Sequence, residues 1–397
     1  MYEASTAPSA MPAQKATFVG SRAYRRSMYG AHHPLAIPRV SLTFDLIRAF
    51  GALEPEEFLS AREATVDELE GFHTPEYVHA VRRSEALGRV PRAWRARHGL
   101  GTSENPYFDG LFTLPARAAG ASIQAAEALL NGRIAFNPAG GMHHARANQA
   151  RGFCYFNDPV LAILRLRQAG LRVLYVDIDA HHGDGVESAF WRDDSVLTLS
   201  LHMDSRHAYP FSGGRFEDAG APGAGFTTLN VPLPDGVNDA EYALVFDAAW
   251  APANRRFAPD AVVLQAGTDG LALDPLGKFR LSTQGFLETA AKVMSASPRH
   301  ADGTPCLMVT GGGGYHPLAL ARAWAGLWGL LSGRCLPHEI PEKGRACLQA
   351  VPWDRDEEEP AAGRLFASRI DEPQERTIRP EIERLAERIA GHPFLRA

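Results

Sequence analysis

Residues 171–185 read LRVLYVDIDAHHGDG, and this stretch decides the fold. Its first half contains Val173-Leu174-Tyr175-Val176, an unbroken β-prone apolar run, and acids and histidines take over at Asp177. Such a run reads as a strand buried on both faces, as in a parallel sheet. Open α/β sheets hold ligands at the carboxyl ends of their strands, so the polar residues that follow are candidates for chemistry. In an extended chain alternate side chains share a side, which puts Asp177, Asp179 and His181 together while Ile178 and Ala180 pack inward. Asp-x-His offers a divalent cation one hard oxygen and one imidazole nitrogen. Solvated loops use the same spacing, so the rest of the chain has to decide.

Working outward, the same alternation of apolar runs and helical patterns recurs. Strands are expected at Arg133–Phe136, Ser195–Leu201, Thr227–Val231, Ala261–Gln265 and Cys306–Thr310. Helices are expected at Val40–Ala52, Thr65–Glu70, from Thr74-Pro75 onward, and at Ala116–Leu130, Asn157–Ala169, Asn238–Arg256, Thr283–Ser295 and Pro317–Leu331. Strands alternating with helices predict βαβ units around a parallel sheet. Residues 91–110, rich in Gly, Pro, Arg and Asn, read as a long surface loop. His32-His33-Pro34 reads as an ordered loop feeding a helix, with a structural role for both histidines.

The chain has 397 residues, 45% hydrophobic and 22% charged, with a formal net charge of -5. That suffices for one large core and carries no nucleic-acid footprint. Cys154, Cys306, Cys335 and Cys347 form no CxxC pair, so neither a disulfide framework nor a zinc ribbon is indicated. The amino terminus lacks a signal-like apolar segment and no 18-residue apolar run occurs, so a soluble protein in a reducing cytoplasm is expected.

Four segments carry polar residues just beyond expected strands: Gly140–His144, Asp177–Gly185, Gln265–Asp274 and Thr310–Tyr315. In a parallel sheet these share one edge, which lets Asp269 join Asp179 and His181. Two carboxylates and an imidazole with an open position is the pattern of a catalytic metal site rather than a closed structural one. Two anionic ligands leave bound water less acidic than three histidines would, so a separate base is useful. His143-His144 supplies it, and Asp177 and Asp184 are spare carboxylates able to fix each imidazole's tautomer. Tyr315, directly after four glycines, is placed to donate to a developing oxyanion.

These motifs resemble those of the histone deacetylase superfamily: GGMHHA (140–145), RGFCYFND (151–158), YVDIDAHHGDG (175–185), SLH (200–202), QAGTDGLALDPLG (265–277) and GGGGYH (311–316). They run in the family's order over roughly residues 17–335, and the start YGAHHPL with LDPLG is similar to acetoin-utilisation proteins as well as class I-like deacetylases. The resemblance implies an arginase-deacetylase fold, a mostly parallel sheet of about eight strands flanked by helices. Composition and charge pattern add the divisions: a flexible N-terminus (1–15), a catalytic domain (16–352) and a charged helical tail (353–397). The resemblance implies zinc, or ferrous iron, on Asp179, His181 and Asp269. His144 corresponds to the general base and His143 to its electrostatic or acid partner, supported by Asp184 and Asp177 respectively; Tyr315 matches the catalytic tyrosine. Gly152 and Phe153 match a residue holding the substrate amide and an aromatic wall of an acyl-lysine tunnel. Structural potassium is expected on Asp177, Ser200 and the carbonyls of Asp179, His181 and Leu201. Arg39 matches an arginine of an internal cavity beneath the site.

The rim follows the family pattern less closely. His202–Gly214 departs from the commoner aromatic-Pro-Gly run, so the second tunnel wall is Tyr209, Pro210 or Phe211. Glu104 falls near an acidic rim residue that grips peptide backbone in some relatives. Leu276 stands where polyamine-selective relatives carry a glutamate, favouring an acyl-lysine or neutral substrate. The expected activity is hydrolysis of an acyl-lysine or related acylated amine. A two-manganese ureohydrolase, with Asp274 as an added ligand, and an inactive acetyl-lysine binder are the alternatives. A homo-oligomer is expected, with no nucleic-acid or membrane partner.

Overall fold

The computed structural model describes residues 15–25, 29–30, 32–352, 362–371, 373 and 376–396. Most of the expected flexible N-terminus and the acidic run at 354–360 lie outside these residues. Among the described residues eight strands form one sheet: β1 (Ala16–Gly20), β2 (Phe58–Ser60), β3 (Ile134–Asn137), β4 (Val173–Asp177), β5 (Val196–Met203), β6 (Thr228–Leu233), β7 (Ala261–Gln265) and β8 (Leu307–Thr310). Their order is β2-β1-β3-β8-β7-β4-β5-β6, and every pairing is parallel.

The two-residue period of the central strands explains how both faces are filled. Leu174 and Val176 of β4, Val262 and Leu264 of β7, and Leu307 and Val309 of β8 enter one core. Val173 and Tyr175, Ala261 and Val263, and Met308 enter the core on the opposite face. The helix Pro317–Leu331 closes the first layer with Trp324 and Trp328 fully buried, their indole N–H groups donating to the carbonyls of Ala266 and Ala52. The helices Thr113–Leu130 and Asp158–Gln168 pack on each other over the second core.

Three elements differ from the sequence expectation. The strands β1 and β2 extend the sheet beyond the first expected strand, and β1 is buried throughout although it follows a polar terminus. Within the expected loop 91–110, Arg92–His98 is helical: Pro91 precedes its first turn and Gly99 ends it in the left-handed region. The other helix starts obey local chemistry. Thr65 and Glu68 cap each other, and Thr74 caps a helix that begins with Pro75. In the tail, the helix Pro380–Ala390 buries Ile382, Ala386 and Ile389 against the helix Asp239–Phe257, and Arg379 holds the Glu241 carboxylate at 2.7 Å. No helix among the described residues is long and apolar enough to cross a membrane.

Candidate metal centre and active site

Because β3, β8, β7 and β4 are neighbours and parallel, the loops leaving their carboxyl ends meet at one edge. Buried side chains tie these loops together. Asp158 accepts from the Gly141 and Met142 amides at 3.0 and 2.8 Å and from the Ser122 hydroxyl at 2.5 Å. Gln265 donates to the Gly141 carbonyl at 2.8 Å and accepts from the Thr310 hydroxyl at 2.8 Å. Gly141 lies at φ +92°, and a Cβ there would stand 2.5 Å from the Gly312 amide, so the β3 loop comes this close to the β8 loop only because residue 141 is glycine.

Asp179, His181 and Asp269 each offer a ligating atom, and those atoms lie within 4.8 Å of one another. Backbone amides aim them: Gly313 donates to Asp179 Oδ2 at 2.6 Å, His181 to Asp179 Oδ1 at 3.0 Å, and Ala180 to Asp269 Oδ1 at 2.8 Å. The Nδ1 of His181 stands 2.8 Å from Asp269 Oδ2 and 3.4 Å from Asp179 Oδ1. Burial and the neighbouring Asp179 charge push the Asp269 carboxyl up to about 7. Burial would lower His181, but the two carboxylates outweigh it and raise the imidazole to about 10. Opposed buried carboxylates around one imidazole form a site that gains from a cation, and hard oxygens with one nitrogen suit zinc or ferrous iron.

The histidine pair flanks this cluster. His143 Nδ1 lies 2.8 Å from Asp177 Oδ2, which also accepts from the Tyr175 hydroxyl at 2.7 Å. His144 Nδ1 lies 2.8 Å from Asp184 Oδ1, and the two Nε2 atoms face each other at 3.0 Å. The environments separate the pair. Burial would lower His143, yet the Asp177 and Asp179 carboxylates prevail and raise it to about 9. Burial, reinforced by the His143 charge, lowers His144 to about 3. The arrangement is a neutral imidazole beside a protonated one, an acid–base couple. Arg146 at 2.6 Å and Arg151 at 3.4 Å flank the other oxygen of Asp184, and with His144 they hold its carboxyl below the ordinary range despite burial.

Tyr315 is kept a phenol by burial, which raises it well above its usual value. Its ring meets Phe153 edge-on at 5.9 Å, and Phe153 sits at φ +69° with its carbonyl accepting from the Tyr29 hydroxyl at 2.7 Å. Of the three open candidates for the second wall, Tyr209 packs edge-on to His144 at 4.8 Å beside Gly152, whereas Phe211 is 68% exposed. His33 takes the structural role expected of it, stacking on Tyr29 at 4.4 Å and meeting Phe153 at 4.5 Å. The Glu104 carboxylate turns inward and accepts from the Gly152 amide at 2.5 Å, while Leu276 is exposed. Arg39 donates to the Gly312 carbonyl at 2.6 Å and lines a cavity of about 360 Å³ with Tyr24, Tyr29, Met142 and Tyr155. Ser200 is the cross-strand partner of Asp177, and its hydroxyl pairs with His202 Nδ1 at 2.8 Å.

Sequence reasoning missed Asp158, Arg146 and Arg151. For Asp158 a signal existed: Asn157 already caps the helix, which leaves the following buried acid free to hold a remote loop. Asp274, considered as an added ligand for a two-metal site, instead accepts from the Tyr315, Leu276 and Gly277 amides. Its carboxylate stands outside the cluster of three ligands.

Residues 33–331 match the family described as histone deacetylase domain. Histone deacetylase 8 of Xenopus tropicalis is 39% identical over 306 residues, covering 77% of this chain and 80% of that protein. Histone deacetylase RPD3 of Saccharomyces cerevisiae is 39% identical over 318 residues, covering 79% and 71%. A crystal structure of an HDAC homolog complexed with SAHA superposes with a TM-score of 0.89 at 37% identity, covering 95% of this chain and 100% of that one. A structure of an HDAC homolog from Aquifex aeolicus gives the same TM-score at 36% identity.

Proposed function

Since this chain belongs to the histone deacetylase family of metal-dependent hydrolases, we propose that it removes acetyl or other acyl groups from the side-chain nitrogen of protein lysines. The observation that carries this reading is the convergence of three ligating atoms within 4.8 Å beside two histidines whose Nε2 atoms stand 3.0 Å apart, each backed by its own aspartate. Asp179, His181 and Asp269 would hold the metal, zinc or ferrous iron. When bound, it supplies Lewis acidity toward the amide carbonyl and acidifies a water molecule.

The chain's own residues do the rest. His144 accepts the proton of the attacking water at Nε2, because Asp184 fixes the opposite nitrogen. Tyr315 donates its hydroxyl to the oxyanion. His143, held protonated by Asp177, returns a proton to the leaving amine. Phe153 and Tyr209 form the apolar walls through which an acyl-lysine reaches this floor, and Gly152 holds its amide. Potassium, if bound, would be held by Asp177, Ser200 and the carbonyls of Asp179, His181 and Leu201, and would offset the acids behind the site.

A second reading, an acylated small amine as substrate, rests on Glu104, one of whose two carboxylate oxygens is already taken by the Gly152 amide rather than offered to a peptide backbone. Leu276 argues against an acetylpolyamine, whose cations need an acidic partner. The test is acetate release by the zinc-loaded chain from acetyl-lysine peptides, acetyl-lysine alone and acetylpolyamines. A kcat/KM highest for peptides supports the first reading; one highest for a small amine replaces it with the second.

A further inference from the structure

We propose that Asp274 is a positioning residue that sets the Tyr315 hydroxyl and couples it to the exposed residue Leu276; the proposal rests on the deacylase reading above. Asp274 is 8% exposed and spends its carboxylate on three backbone amides. Its Oδ2 accepts from Tyr315 at 2.6 Å, and its Oδ1 accepts from Leu276 at 3.0 Å and Gly277 at 3.2 Å. A short bond to a charged acceptor is worth roughly twice a neutral one.

The need for such an anchor follows from the sequence just before the tyrosine. Gly312 and Gly314 both lie at φ +136°, which glycine alone reaches easily, and four glycines offer no side chain to pack. Backbone contacts hold the run: Arg39 on the Gly312 carbonyl at 2.6 Å, and Thr268 on the Gly313 carbonyl at 2.8 Å. Tyr315 is the first residue past the glycines with a side chain, and its amide is clamped by Asp274. The same amide lies one residue before His316, which caps the helix Pro317–Leu331, so the clamp sits next to a fixed helix start. A single carboxylate therefore fixes both the origin of the phenol and the backbone at Leu276 and Gly277. A substrate that shifts Leu276 shifts the tyrosine with it.

The test uses the full, zinc-loaded chain. Asp274→Asn keeps an oxygen for Leu276 and Gly277 but turns an amide N–H toward the Tyr315 N–H. Misplacement by an ångström costs on the order of 100-fold, so kcat on an acetyl-lysine peptide falls about 10- to 100-fold with KM and zinc content unchanged. In a Tyr315→Phe background the same substitution costs less than about two-fold, because the hydroxyl it aims is gone. Equal losses in both backgrounds, or no loss with Tyr315 present, overturn the proposal. Should Asp274→Asn not fold, Asp274→Glu, which keeps the charge and displaces it by one methylene, carries the same cycle.

A readout independent of activity comes from nitrogen-labelling the 10 tyrosines. The Tyr315 amide resonance, identified by its loss in Tyr315→Phe, moves upfield in Asp274→Asn while the others hold. An unmoved amide overturns the assignment whatever the activity. A moved amide in a chain that hydrolyses no acyl substrate supports the Asp274 contact and overturns the deacylase reading instead.

Discussion

Gly313→Ala is expected to empty the metal site while sparing the fold. Gly313 does not use the positive-φ backbone that resists alanine, but a Cβ there would stand 2.0 Å from Asp269 Oδ2 and 3.0 Å from Asp179 Oδ2. Carbon and oxygen approach no closer than about 3.3 Å, so the Asp269 oxygen must retreat by about 1.3 Å. Metal–ligand distances tolerate only about 0.2 Å. Losing a residue that merely supports a ligand costs about 10- to 100-fold in metal affinity, and displacing a ligand costs at least that, about 1.4–2.7 kcal/mol or more. Competition for zinc against a chromophoric chelator measures the change. Gly363→Ala, where an added methyl meets nothing within 4 Å, is the control. Zinc affinity of Gly313→Ala within about two-fold of the unaltered chain would refute the reasoning, because the ligands would then not sit where the Gly313 Cβ points.

Tyr315→Phe should lower kcat by about 10²–10³ with zinc content and melting temperature unchanged, the cost of one oxyanion donor; activity within a few-fold, measured as acetate release, would remove the tyrosine from the mechanism. The pH profile of kcat/KM should show an alkaline limb, because His143 works protonated and is raised to about 9 by Asp177 and Asp179. A cation on Asp179 removes part of that support, so in the zinc-loaded chain activity is full below the limb and is lost as pH rises through a midpoint at or below about 9. His143→Gln should abolish the limb and lower the plateau, which a stopped assay across pH 6–10 checks. Leu276→Glu should lower KM for an acetylpolyamine relative to a neutral acetyl-lysine peptide, since an exposed mouth position would then carry a charge opposite to the amine's; an unchanged ratio would place Leu276 away from the substrate path.

What could be read from the chain alone followed from burial. Strands β3, β4, β7 and β8 carry their signal in consecutive apolar residues, because helices cover both faces of a parallel sheet, whereas β5 and β6 carry it in alternation. The strand β2 has three residues, none of them buried, and leaves no comparable pattern. Arg92–His98 looked like loop because its arginines are exposed, and helix propensity in Arg and Ala was the overlooked signal. The ligands were legible because Asp179, His181 and Asp269 each fall within four residues of a strand's carboxyl end. The work of Arg146 and Asp274 was not, because each acts on a carboxylate or backbone amide distant in sequence. Nothing in the order of residues announces such a bond before the loops are folded together. Glu104 shows the converse: its place near the rim was readable, but the inward turn toward Gly152 depends on how the two loops meet.

The central claim is that Asp179, His181 and Asp269 grip one divalent cation whose open side faces His144 and Tyr315. Anomalous diffraction at the zinc edge, from crystals of the zinc-loaded chain, tests this directly. The account predicts a single strong peak among those three side chains, within about 2.0–2.2 Å of their ligating atoms and with one side toward His144 and Tyr315. A peak elsewhere, two peaks about 3.5–4 Å apart, or a cation enclosed on all sides by protein atoms would contradict it.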